Sequence, residues 1–149
     1  MKRSLLTLIL GLGVVAGFSQ HYNTPPKNVS QSFHREYPKS HASEWSKSSS
    51  GWSVSFKDRD HDNGEATAYF NATGSYVETH IPYDKHDVPP PVKKHIQESY
   101  GSSDKYDYTR IDHYSGKTYY KTQVKHKNQS KNIYMDNDGH EKDYHDKYY

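Results

Sequence analysis

The sequence contains no cysteine. That absence excludes disulfide staples, thiolate metal sites, a cysteine nucleophile and a lipid-modified N-terminal cysteine. Long apolar runs are missing too. The one hydrophobic stretch, Leu5 to Val15, is far shorter than the roughly 20 residues that cross a bilayer. Lys2 and Arg3 precede it and Gly17-Phe18-Ser19 follows it, so residues 1–19 read as a cleavable secretory signal peptide. The mature chain, 20–149, then has no leucine, because Leu5, Leu6, Leu8, Leu10 and Leu12 all belong to the signal. It also lacks surplus charge. Lys2 and Arg3 account for the formal +2, and 18 basic residues remain against 18 acidic ones. A near-neutral chain has no broad electrostatic attraction to nucleic acid or anionic membrane. No membrane insertion is expected after signal removal, and the expected location is the periplasm or the exterior.

Aliphatic content is low. Ile, Val and Phe together number 13 in the mature chain, a poverty associated with disorder. All 15 tyrosines and both tryptophans survive signal removal, however, and rings bury large area per residue. The expectation is a folded but thin core, within one domain spanning 20–149.

What the chain does have is an internal echo. Val29, Phe33, Tyr37 and Pro38 reappear 63 residues later as Val92, Ile96, Tyr100 and Gly101. Trp52 to Phe56 aligns with Tyr120 to Val124, and the turn Asn71 to Gly74 with Asp136 to Gly139. The spacing of Val29, Phe33 and Tyr37 predicts a short helix, capped by Thr24 and stopped by Pro38. A second helix follows Asp87 as cap and Pro89-Pro90-Pro91, with Val88, Val92, Ile96 and Tyr100 buried and Gly101 as its stop. Four short strands are expected after each helix. Trp52, Val54 and Phe56 alternate with serines, as a half-buried strand does. Trp45, Ala66, Ala68 and Phe70 join the core, and Val77 and Ile81 lie on the fourth strand. Lys142 and Asp146 stand where the first half has Val77 and Ile81, so the last strand should be a charged, fraying edge. The two repeats cover about 24–81 and 87–146.

Catalytic constellations are absent. Serines are plentiful without a GxSxG elbow, and no HExxH occurs. The segment Asp58-Arg59-Asp60-His61-Asp62-Asn63-Gly64 superficially resembles a calcium loop, but Asn63 and Tyr69 stand where an EF-hand needs glycine and a bidentate glutamate. The eleven histidines show no helical metal pair and read as solvated polar-face residues. Asn71 to Gly74 lacks the carboxylates of Asp136 to Gly139, which argues against a shared metal role. No enzyme activity, cofactor or metal site is expected.

These features resemble a known family. The helix pattern Val29-x3-Phe33-x3-Tyr37-Pro38, then Trp45, Ala66-x-Ala68-x-Phe70 and the Gly74 turn, are similar to secreted PepSY-like, beta-lactamase-inhibitor-like (BLIP-like) proteins of Bacteroidetes type. Val88-Pro89, Val92, Ile96, Tyr100 and Met135 to Gly139 repeat the signature. The resemblance implies an α+β fold of tandem α-β(4) repeats, with two helices on one face of an antiparallel sheet. It also implies a non-enzymatic extracytoplasmic protein that binds or inhibits another protein. The expected interaction surface is the loop bearing Asp58, Asp60 and Asp62, with the hairpin bearing Tyr106, Tyr108, Tyr114 and Tyr119. An unidentified protein of the envelope or exterior is the expected partner. Two other readings stay open: divalent-metal binding, prompted by the histidines and aspartates, and surface-glycan binding through exposed rings.

Overall fold

Runs of proline set where both helices begin. Thr24 and Pro25 each precede a proline, which pushes them out of the helical region. Helix α1 (Lys27–Glu36) therefore starts later than the sequence suggested, with Pro26 rather than Thr24 at its N-cap and no side-chain cap. The Pro26 carbonyl instead accepts the amides of Val29 and Ser30 at 3.0 and 3.1 Å. Helix α2 (Pro90–Tyr100) likewise has Pro89 at its N-cap in place of Asp87. Proline early in a helix lacks the N–H that a cap would satisfy. Gly101, at φ 84°, closes α2 as expected.

The structure is a computed structural model and describes residues 23–61, 64–101, 106–126 and 129–144. The expected signal peptide and Asp62 fall outside the described residues. Seven strands form one antiparallel sheet in chain order: β1 (Ala42–Lys47), β2 (Gly51–Lys57), β3 (Glu65–Asn71), β4 (Tyr76–Tyr83), β5 (Asp107–His113), β6 (Thr118–His126) and β7 (Gln129–Met135). α2 runs between β4 and β5.

Register assigns each residue to a face, because side chains alternate and directly paired residues share a side. Val54 pairs Ala68, Ala68 pairs Thr79, and Thr79 pairs Asp112. Ile81 pairs Arg110, Arg110 pairs Tyr120, and Tyr120 pairs Met135. All of these face the helices. Val29, Phe33 and Tyr37 pack there on Val54, Phe56, Ala66, Ala68, Phe70 and Ile81, with Trp45 and Trp52 half-buried beside them. Val88, Val92 and Ile96 pack on Tyr120, Val124, Ile133 and Met135. Both helices therefore cover one face. Phe33 meets Phe56 and Trp45 nearly edge-on, at 5.1 and 5.8 Å between ring centres, a favourable geometry for aromatic pairs.

A polar seam separates the two apolar clusters. The Tyr37 hydroxyl lies 2.6 Å from Thr79 Oγ1, and the Tyr76 hydroxyl donates to Thr79 Oγ1 and to the Asp112 carbonyl. Asp112 also accepts from Arg110 Nε at 3.1 Å and from Thr118 Oγ1 at 3.0 Å. Burial pushes both tyrosine hydroxyls above their ordinary pKa.

The two turns that the sequence aligned match bond for bond. Asn71 Oδ1 accepts the amides of Thr73 and Ser75, as Asp136 Oδ1 accepts those of Asp138 and His140. The Gly74 amide donates to Asn71 O, and the Gly139 amide to Asp136 O. Gly74 touches Asn28 of α1 and Gly139 touches Pro91 of α2, and a Cβ on Gly139 would stand 2.7 Å from the Pro91 carbonyl oxygen. Each turn thus abuts the first turn of its own helix. The halves differ downstream. Where a fourth strand is expected around 140–144, there is only a bridge between Met135 and Glu141 and a bond from Lys142 N to Tyr134 O. The Lys142 side chain reaches back to Asp136 (Nζ–Oδ2 2.7 Å), which satisfies its charge. At the other edge, β1 is mostly exposed and its register breaks between Ala42 and Glu44.

Thr122 stands where the first half has Val54. It is fully buried, and its hydroxyl has no hydrogen-bond partner among the described residues. Such a group costs about 1–3 kcal/mol. Thr122→Val is expected to stabilise the protein by about 1 kcal/mol and to raise the thermal midpoint by several degrees in a calorimetric melt. Phe33→Ala is expected to cost about 3–5 kcal/mol, read as a lowered midpoint in urea.

Candidate interaction face

The face opposite the helices carries the less expected chemistry. Tyr69 pairs Glu78, and Glu78 pairs His113. His80 pairs Ile111, Ile111 pairs Tyr119, and Lys121 pairs Tyr134. No described helix covers this side, yet Ile111 is fully buried, and Glu78 and His80 are only 2 % and 7 % exposed. His80 Nε2 lies 2.7 Å from Glu78 Oε1, and its ring packs 4.7 Å from Tyr69. The other Glu78 oxygen, Oε2, accepts a hydrogen bond from the Tyr144 hydroxyl. The Tyr144 ring stacks on Tyr134 at 4.8 Å and meets Tyr119 at 5.2 Å. A buried carboxylate is tolerated here because both oxygens have partners. Burial by itself would raise the Glu78 carboxyl. Hydrogen bonds from His80 and Tyr144, with the charges of His80 and His113, outweigh it and hold the group below its ordinary value.

The sequence-predicted surface is redistributed. Asp58 is buried, not solvated: Oδ1 accepts the amides of Asp60 and His61, and Oδ2 meets His61 Nδ1 at 2.8 Å. Its carboxylate organises its own turn, so it offers nothing to a partner. Asp60 binds the Lys39 amide and the Ser40 hydroxyl, fastening the loop to the segment after α1. Tyr106 and Tyr108 are half-buried against the α2 cluster, and the Tyr106 hydroxyl donates to the carbonyls of Tyr100 and Gly101. Tyr119 lies on the open face. Of the four predicted tyrosines only Tyr114 is freely exposed, at 68 %. Its ring lies 4.3 Å from that of His113. Both line an open, polar cleft of about 590 Å³ with Ser32, Arg35, Ser75 and Tyr76.

His80 corrects the reading of every histidine as a solvated polar-face residue. The sequence signal was present: Glu78-x-His80 places both groups on one side of a strand. Alternation assigned that side to water, and the burial comes from neighbours remote in sequence. Tyr144 was missed because it sits in the charged tail.

Asp136, Asp138 and His140 bring ligand atoms within 4.8 Å of one another. The Lys142 ammonium already occupies one Asp136 oxygen, and backbone amides take the other. This carboxylate is committed to its turn and to Lys142. The hydrogen bond from Lys142 chiefly, against some burial, holds its pKa down to about 2.

No family model and no curated protein sequence matches the chain. Solved structures do. A DUF2874 family protein from Bacteroides ovatus superposes with TM-score 0.67 at 19 % identity, over 80 % of this chain and 85 % of that one. A candidate periplasmic protein from Bacteroides eggerthii gives 0.68 at 16 %, over 79 % and 86 %. A BLIP-like protein from Bacteroides fragilis gives 0.66 at 19 %, over 82 % and 88 %. The likeness to BLIP-like Bacteroides proteins thus holds at the level of the fold. No helix among the described residues is long and apolar enough to cross a membrane.

Glu78 and Asp136 both have folded pKa values below their unfolded ones. The stability they contribute is therefore complete above the unfolded pKa, about 4, and is lost as pH falls through the folded values. Thermal melts between about pH 6 and pH 3 should show a falling midpoint, and Glu78→Gln should flatten that fall.

Proposed function

We propose that this chain is a non-enzymatic binding module of the bacterial envelope or exterior, and that it engages a protein partner through the open face of its sheet. The observation that carries this reading is the concentration on that face of half-buried Tyr119 and Lys121 around the buried Tyr69, Tyr134 and Glu78–His80 pair, with both helices on the other side. Tyrosines with a rigid setting are common anchors at protein interfaces. The predicted signal peptide and the candidate periplasmic structural neighbour support the location. The BLIP-like neighbour supports a binding role, while fold likeness alone does not carry function.

A second reading, glycan binding, draws on Tyr114. An exposed ring beside the polar side chains of Ser32, Arg35 and Ser75 has the makings of a sugar platform, since sugars stack on rings and hydrogen-bond around them.

Pull-downs from the envelope fraction of the source organism separate the two. Wild-type chain as bait is expected to recover a reproducible partner that Lys121→Glu, on the open face, loses and Tyr114→Ala retains. Recovery unaffected by Lys121→Glu would remove the open-face reading. Binding on a glycan array that Tyr114→Ala abolishes would favour the second.

A further inference from the structure

Tyr144 does more than follow the last bridge. After the Met135–Glu141 bridge and the bond from Lys142 N to Tyr134 O, the chain leaves the β7 edge and Tyr144 is laid on the open face. Among the described residues its ring stacks on Tyr134, with planes 26° apart, and makes a tilted approach to Tyr119. Its hydroxyl donates to Glu78 Oε2, whose partner oxygen is held by His80. Two ring walls thus lead to a carboxylate that is itself almost fully buried. A flat ring with an O–H donor at its far end matches those features together. A phenyl ring would fill the walls but leave the carboxylate oxygen short of a donor, and buried polar sites reject ligands that lack the expected group.

We infer that Tyr119, Tyr134 and Glu78 form a slot that recognises a tyrosine side chain, that Tyr144 fills it in cis, and that the partner fills it in trans with a tyrosine-bearing peptide segment. This rests on the open-face reading above and specifies its ligand. The cis occupant is tethered only three residues beyond the Glu141 bridge. Short tethers give effective concentrations in the millimolar range, so the slot is closed to weak ligands until the tail is displaced. The tail is then a built-in competitor that sets an affinity threshold for the partner.

The probe is an acetylated, fluorescently labelled peptide spanning residues 139–146 of this chain, titrated by anisotropy against the full mature protein. Tyr144→Ala is expected to bind the probe at least tenfold more tightly than wild type. A probe with phenylalanine at the tyrosine position should bind Tyr144→Ala about tenfold more weakly. Adding Glu78→Gln to Tyr144→Ala should abolish that preference. Tyr144→Phe, which keeps the stacked ring, controls for folding and should bind the tyrosine probe with intermediate affinity. Equal binding by wild type and a folded Tyr144→Ala, or no preference for tyrosine over phenylalanine, would overturn the slot. A concentration-dependent dimer of wild type that Tyr144→Ala abolishes would assign the trans occupant to a second copy and overturn the partner-peptide assignment. If Lys121→Glu still loses the envelope partner while the probe fails to bind, the open-face reading stands and only the slot falls.

Discussion

The period-two alternation of β4 is the constraint on which both faces depend. Thr79 and Ile81 point toward α1, and Glu78 and His80 point away from it. A shift of one residue in the register with β3 or β5 would exchange the two sets. It would place a carboxylate and an imidazole beneath Phe33 and Tyr37 and would expose the threonine that two tyrosine hydroxyls share. β4 lies in the middle of the ladder, with three strands on either side, so such a slip would propagate across the sheet. The bonds that tie β4 to other elements, Tyr37 to Thr79 Oγ1, Tyr76 to the Asp112 carbonyl and Tyr144 to Glu78, are formed in only one register. Polar groups on opposite faces therefore specify a single alignment where a leucine-free core offers little else to discriminate.

Much of the helix-facing architecture was legible in the residues. Val29 and Phe33 recur at helical spacing, Trp52, Val54 and Phe56 alternate, and Gly74 and Gly139 mark turns. All of these are local, periodic signals. The helix starts were not legible in full, since prolines displaced the expected caps at Thr24 and Asp87. Asp58 looked solvated because its neighbours in sequence are charged, whereas two amides and His61 enclose it. The open face was the least legible. Its burial depends on pairs such as Ile111 with Tyr119 and on Tyr144, 66 residues from Glu78, and no period in a sequence reports such a distance. Tyr106 and Tyr108 were expected on the interaction surface, yet the α2 cluster, short of aliphatics, draws them inward.

The halves share their helix-and-turn geometry but not their use of it. In the first, the Asn71 turn leads into β4, which goes on to pair with β5. In the second, the equivalent Asp136 turn leads into a segment that makes one bridge and departs. Asp136 carries a charge that Asn71 lacks, and that charge captures Lys142. A single polar difference at matching positions thus accompanies the change from a fourth strand in one half to a crossing tail in the other.

The sheet's outer rims are treated unequally. β1 presents a mostly exposed strand whose break between Ala42 and Glu44 interrupts any continuous template for another chain. β7 has no such break in its pairing with β6, and among the described residues Glu141 and Lys142 lie along its outer side. Proteolytic clipping ahead of Glu141 would bare an unbroken run of amides and carbonyls next to Tyr134. The segment that plugs one surface therefore also guards the molecule against end-to-end strand addition and the fibrils that follow from it.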